Sequence, residues 1–275
     1  MPVRFEPGPI LNQIADPDRC GRSLEKLAAA VAESGRACFN HPRAILATDR
    51  LSVAQKLSGI DGLHVPQTLR LTLDDTAALH EEIAAAGLQY PVLARVAGDH
   101  GGVSLLKIDS REELPTLCKL NAHGKAIYLT AFHDFVSADG RYRQFRIVVV
   151  GDRFFLRHLL VGDSWLLHSK RRGAGTEEEE AQMLEGFDST LGPRVAPIVK
   201  EITRRLDLDY YGIDCHVPED GEMTLFEANA CMNILFNNDP SNMWHRPNER
   251  IKDALFSLLK RPGAWRDRTG RDQIA

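Results

Sequence analysis

The chain has 275 residues, 43% of them hydrophobic and 26% charged, enough to bury a sizeable core as one large domain or two compact lobes. A net charge of −4 leaves no basic excess to displace counterions from a nucleic-acid backbone, and five scattered cysteines without a CxxC pair argue against a disulfide frame or zinc site. The start lacks a basic segment leading into an apolar run, and no stretch is long enough to span a bilayer. The expectation is a soluble protein of a reducing, cytoplasmic compartment that binds neither nucleic acid nor membrane.

Met1 to Pro17 is proline-rich and aperiodic, so it reads as irregular. Ser23 to Ser34 has helical spacing, with Ser23 as N-cap, Leu24, Leu27, Ala30 and Val31 on one face and Gly35 as the stop. A short strand at Arg36 to Asn40 precedes a helix opened by Pro42. Thr48-Asp49 then caps a further helix, Arg50 to Leu57. Val65-Pro66-Gln67-Thr68 reads as an edge strand, and Leu73-Asp74-Asp75 leads into a helix over Thr76 to Ala86, ended by Gly87.

Pro91 to Val96 and Val103 to Ile108 read as strands around the glycine-rich turn Ala97 to Gly102, followed by a helix from Ser110 to Leu120. Ala126 to Phe132, Tyr142 to Val150 and Phe154 to Val161 are three more strands, and Trp165 to His168 is read as an extension of the sheet. Thr176 with Glu179 fits a capping box at the start of an acidic helix, Glu177 to Phe187, ahead of a second helix from Pro193 to Leu206. Pro247 to Leu259 is the last helix, and residues 263–275 form a loose tail.

Tyr210 to Asn229 carries the most chemistry. It reads as two strands joined at Asp220-Gly221, with Leu225, Glu227 and Asn229 alternating onto one face and Asp214 across the hairpin. Two neighbouring carboxylates repel unless a cation lies between them, and oxygen donors of this kind suit Mg²⁺; acids that simply face water would give the same pattern. Upstream, the glycines after Val96 expose backbone N–H groups that can wrap phosphate, although the spacing is neither a P-loop nor a dinucleotide fingerprint. Arg50 and Arg95 are either surface charges or phosphate contacts. Arg146 interrupts an apolar strand, which places it on a cleft. His158 interrupts the next strand and is either a hydrogen-bonded structural residue or part of an acceptor pocket, for which His168 and Cys231 are further candidates.

In chain order these pieces resemble the ATP-grasp superfamily, in particular its glutathione-synthetase-like and ribosomal-protein glutamate-ligase-like branch. The motifs are Asn40-His41-Pro42 with Thr48-Asp49-Arg50, Val65-Pro66-Gln67-Thr68 and Tyr90 to Arg95 with its glycine loop. Phe145 to Asp152, Tyr211-Gly212-Ile213-Asp214 and Phe226-Glu227-Ala228-Asn229 complete the series. The resemblance implies an α+β fold in which two lobes clamp a nucleotide behind a shortened N-terminal substrate domain. Its segments would be 1–45 as the reduced N-terminal piece, 46–125 as a small lobe and 126–262 as a large lobe.

It further implies that Arg50, Arg95, Gly98, His100, Gly101 and Gly102 hold ATP phosphates, and that the backbone of Thr130, Ala131 and Phe132 reads adenine. Asp214, Glu227 and Asn229 would bind Mg²⁺, with Mn²⁺ as the alternative ion, while Arg146 and His158 serve catalysis. The implied reaction is ADP-forming ligation of a carboxylate, activated as an acyl phosphate, to an amine or thiol, peptides included. A nucleotide-binding module with little catalysis and a phosphotransferase are the alternatives, and a homodimer is an open option. This chain departs from the family pattern at Arg50 and Arg95 (lysines there), at Gln144 (an aspartate there) and at 230–233, where a Pro-Gly is usual. Val161 stands about where a substrate arginine is expected.

Overall fold

The structure, a computed structural model, describes residues 8–72, 76–100, 102, 104–120, 124–167, 175–231 and 239–266. Strand β1 (Ile10–Leu11) pairs in parallel with β2 (Cys38–Phe39) around helix α1 (Pro17–Ser34). Helix α1 starts upstream of the expected Ser23 because Asp16 is its N-cap, accepting the Arg19 N–H at 3.0 Å, and Pro17 has no N–H to lose at the first helical position. Cys20 departs from helical angles, so the regular apolar spacing sets in only after it; Gly35, at φ +60°, ends the helix. Helix α2 (Pro42–Leu46) and helix α3 (Arg50–Leu57) follow, and Asp49 caps α3 through the N–H groups of Leu51 and Ser52.

The remaining elements form two sheets. Strands β3 (Leu63–His64), β4 (Thr68–Thr72), β5 (Val92–Val96), β6 (Leu106–Ile108) and β7 (Ala126–Ala131) flank helix α4 (Thr76–Ala85) and a 3₁₀ helix over Arg111–Leu120. Then come β8 (Tyr142–Val150), β9 (Arg153–Gly162), helices α5 (Glu177–Gly186) and α6 (Leu191–Leu206), and the strands β10 (Tyr210–His216) and β11 (Met223–Asn229). Helix α7 (His245–Leu259) closes the series. A four-stranded sheet has the order β4-β7-β5-β6, and a five-stranded sheet the order β3-β11-β10-β8-β9.

Each sheet has its own core. Leu79 and Ile83 of α4 pack with Leu114 and Leu117 of the 3₁₀ helix on Val92, Ala94, Ile127 and Leu129 of the four-stranded sheet. One face of the larger sheet (Phe145, Ile147, Val149, Tyr211, Ile213) buries against Leu24 of α1, Val53 and Leu57 of α3 and Val195, Val199 and Ile202 of α6. Part of the opposite face (Val148, Val150, Phe155) is covered by Ile251, Ala254 and Leu258 of α7. The cores divide the chain differently from the sequence segments. Residues 50–64 sit with the five-stranded sheet, while β7 is an inner strand of the smaller one.

Other expectations fail for identifiable reasons. Residues 65–67 link β3 to β4 rather than forming a strand, consistent with a proline that cannot donate a ladder hydrogen bond. The segment after Ser110 is 3₁₀ rather than α, with Pro115 inside it. Thr176 makes no capping hydrogen bond, and Glu179 turns instead to Arg143 Nε at 2.6 Å. Trp165 and Leu166 lie in a bend beyond β9 and do not extend the sheet, and His168 lies outside the described residues. The tail is docked at its start: Trp265 is buried edge-on to Phe39, its Nε1 donating to Leu258 O at 2.9 Å, and the Arg266 N–H donates to Asp209. Asn40, at φ +50°, accepts the N–H groups of Asp209 and Tyr210 at 2.9 Å, which pins β2 to the start of β10. Among the described residues no helix is long and apolar enough to cross a membrane.

Candidate active site

Strand register brings four functional side chains into one row. Glu227 of β11 lies opposite Asp214 of β10, Asp214 opposite Arg146 of β8, and Arg146 opposite His158 of β9. Facing residues in an antiparallel pair share a side of the sheet, so the row forms one wall of a cleft. Two bulges set it. Phe226 is the extra residue between Glu227 and Leu225, and Arg157 the extra residue between His158 and Leu156. The first bulge interrupts the expected alternation: Leu225 pairs with Cys215 and joins the main core while still bordering the cleft, and Glu227 and Asn229 share the face of Asp214.

The row is held by charge. Arg146 forms a two-pronged contact with Asp214, Nε to Oδ1 at 2.7 Å and Nη2 to Oδ2 at 2.6 Å. Burial disfavours the Arg146 charge, but the hydrogen bonds and charge of Asp214 outweigh it and hold this guanidinium above its ordinary value. Arg50, at the start of α3, reaches Glu227 Oε1 at 2.8 Å and donates to Phe226 O at 3.2 Å. Burial likewise works against the Glu227 charge, yet Arg50, Arg95, His100 and Arg146 together keep its carboxyl below the usual range. Arg95 differs from the other two arginines. Burial first, then the neighbouring Arg50 charge, push it down to about 10, and the carboxylates Glu227, Asp214 and Asp99 only partly offset this.

Side chains from both sheets enclose a cavity of about 620 Å³, within the usual range for small-ligand sites. Of the residues singled out in the sequence, Arg50, Arg95, His100, Gly102, Thr130, Ala131, Phe132, Arg146, His158, Asp214, Glu227, Asn229 and Cys231 line it. Gly98 does not. At φ +79° it packs against helix α1, where a Cβ would stand 2.9 Å from Arg19 Cγ. Gly101 lies outside the described residues. At the end of β7 the N–H groups of Ala131 and Phe132 are already engaged, by Gln67 O at 2.8 Å and Pro91 O at 2.9 Å, and Thr130 Oγ1 contacts Thr68 Oγ1 at 3.1 Å.

Asp16, Tyr128, His133 and Trp165 also line the cavity, and none of them belongs to the motifs that point to a site in the sequence. Trp165 packs edge-on to Phe132 with ring centres 5.6 Å apart, and His133 packs at a tilt against His64 with ring centres 4.4 Å apart. Of these, Asp16 alone left a local sign, since Asp-Pro ahead of an amphipathic stretch marks a helix start.

The oxygen donors expected to hold a divalent ion are brought together by register, and the described residues contain no cluster of three or more His, Cys, Asp or Glu side chains arranged for a metal. The set is two carboxylates and an amide, and Asn229 Oδ1 accepts the Cys231 N–H at 2.8 Å with a second lone pair left over. It fits Mg²⁺ in kind: all donors are hard oxygens, the carboxylates keep further lone pairs beside their contacts with Arg50 and Arg146, and Mg²⁺ ordinarily completes its shell with phosphate and water.

No family model matches the chain. The mouse protein named N-acetylaspartylglutamate synthase A is 26% identical over 240 residues, which are 86% of this chain and 57% of its own length. The chain spans about half the length of the curated relatives it matches. Among solved structures, a RimK-domain ATP-grasp protein from Sphaerobacter thermophilus superposes with a TM-score of 0.53 at 16% identity, over 92% of this chain and 82% of its own. A RiPP-associated ATP-grasp ligase from Chryseobacterium gregarium, solved with ADP and a leader and core peptide, gives a TM-score of 0.52 at 16% identity, over 91% and 71%.

Proposed function

The chain is built on the ATP-grasp fold, and from that premise we propose that it is an ATP- and Mg²⁺-dependent ligase joining a carboxylate to an amine or thiol with release of ADP. The observation that carries the reading is Arg95: a half-buried guanidinium beside Arg50, its charge only partly compensated, lining a cavity of ligand size. Such a site favours an anion, and a polyphosphate supplies one. The synthase name of the 26%-identical relative and the ADP-bound state of the structural neighbour support the nucleotide and the reaction class.

In this reading Arg50 and Arg95 bind the phosphates. Arg146, fixed by Asp214, faces the transferred phosphoryl group and balances its charge. Asp214, Glu227 and Asn229 would hold Mg²⁺, or Mn²⁺ in its place, and that ion would draw charge from the phosphoryl oxygens. The substrate carboxylate attacks the terminal phosphorus and ADP leaves; the amine or thiol then attacks the acyl carbon and inorganic phosphate leaves. His158, at the end of the row beside Arg146, borders the place where the acyl group would lie. Since the Ala131 and Phe132 N–H groups are engaged, reading of the base falls to carbonyl groups and to the chain beyond Phe132.

The test is ADP release with acid and amine added singly and together, beginning with N-acetylaspartate and glutamate, the pair that the relative's name suggests. Release that requires both is the expected result. Release accompanied by a phosphorylated acceptor would make the chain a phosphotransferase, and binding without turnover across a broad panel would make it a nucleotide-binding module.

A further inference from the structure

The stretch from Ala15 to Arg19 spans the two sheets at the phosphate end of the cavity. On the side of the five-stranded sheet, Cys231, two residues beyond Asn229, donates its thiol hydrogen to Ala15 O at 3.0 Å. On the other side, Asp16 Oδ2 lies 3.0 Å from His100 Nε2, and Arg19 Nη2 lies 3.4 Å from Asp99 Oδ1. Asp18 accepts the Tyr128 hydroxyl at 2.8 Å and an Arg70 Nη2 hydrogen at 3.1 Å. Gly98 leaves no room for a side chain against Arg19. Asp16 lines the same cavity as Arg50 and Arg95, so a carboxylate already faces the loop assigned to nucleotide phosphate.

We propose that residues 15–19 form an internal strap in which the Asp16 carboxylate occupies His100 and must be displaced before a nucleotide phosphate engages that loop. The inference rests on the nucleotide reading above and adds a built-in competitor to it. A carboxylate and a phosphate oxygen are alike as hydrogen-bond acceptors and in sign of charge, so one imidazole edge cannot serve both. The part of the chain preceding the two sheets would thereby set how readily the cleft accepts ATP.

Asp16→Asn separates this role from capping, because asparagine caps a helix about as well as aspartate but carries no charge. The 275-residue wild-type chain and the variant are titrated with the non-hydrolysable analogue AMP-PNP and Mg²⁺, and exchange of the Asp99 amide, which donates to Val96 O, is followed in the free proteins. The variant is expected to bind the analogue about two- to fivefold more tightly, the scale of one partly exposed polar contact, and its Asp99 amide to exchange faster. Equal or weaker affinity in a folded variant, or unchanged exchange, overturns the strap while leaving the nucleotide reading in place. Absence of analogue binding in both proteins overturns the nucleotide reading itself.

Discussion

Asp214→Ala is expected to destabilise the protein by up to about 3 kcal/mol and to abolish Mg²⁺-dependent nucleotide binding. Its side chain is 7% exposed, and both carboxylate oxygens are taken by Arg146, whose side chain is 29% exposed. Removing one member of a buried pair strands the other charge, at a cost of about 3–5 kcal/mol. Here the open side of Arg146 lets water recover part of that cost, so the loss should fall at or below the lower end of this range. Urea unfolding would read it as a lower midpoint at unchanged slope. A companion Arg146→Met, Asp214→Leu double variant should lose less than the single alanine variant, because no unpaired charge remains. A single variant within about 0.5 kcal/mol of wild type, the scale of an ordinary surface change, would mean that the pair does not hold the row.

Arg95→Met is expected to act in opposite directions on stability and on binding. Burial and Arg50 depress the Arg95 pKa to about 10, so the folded protein holds this proton less readily than the unfolded chain. A depressed folded value contributes stability only above the unfolded one. At neutral pH both states keep the proton, and the charge is a constant cost to the fold. Removing it should stabilise the free protein by about 1–2 kcal/mol after discounting for solvent screening, or about 2–4 °C in melting temperature per kcal/mol. The same change deletes a charged donor to phosphate, worth about 1.5–3 kcal/mol, and should weaken ATP binding about 10- to 100-fold. If stability and affinity fall together, Arg95 is a packing residue, and the anion site loses its main support.

Sequence and structure agree where the signal is local. Asp49 caps α3, Gly35 and Gly87 follow α1 and α4, and the strands around Arg95, Arg146 and Glu227 carry their apolar periods openly. The order of these pieces was enough to identify the fold. What stayed hidden depends on partners distant in the chain. The Phe226 bulge exists because of how β11 meets β10, and nothing in the run Met223 to Asn229 announces it. Trp265 looked like part of a polar tail until Phe39, far away in sequence, supplied its packing surface. Asp16 could be read as a cap, but its reach to His100 follows from how α1 lies across both sheets.

In the proposed function, Asp214, Glu227 and Asn229 present their oxygens to a divalent ion carrying a nucleotide. Calorimetric titration of AMP-PNP into wild type and Glu227→Gln, each with and without Mg²⁺, tests it most directly. The expected result is one-to-one binding that Mg²⁺ strengthens at least about tenfold in wild type, equivalent to about 1.4 kcal/mol, and a variant in which that Mg²⁺ dependence is gone. Binding that ignores Mg²⁺ in wild type, or the same dependence in both proteins, would contradict it.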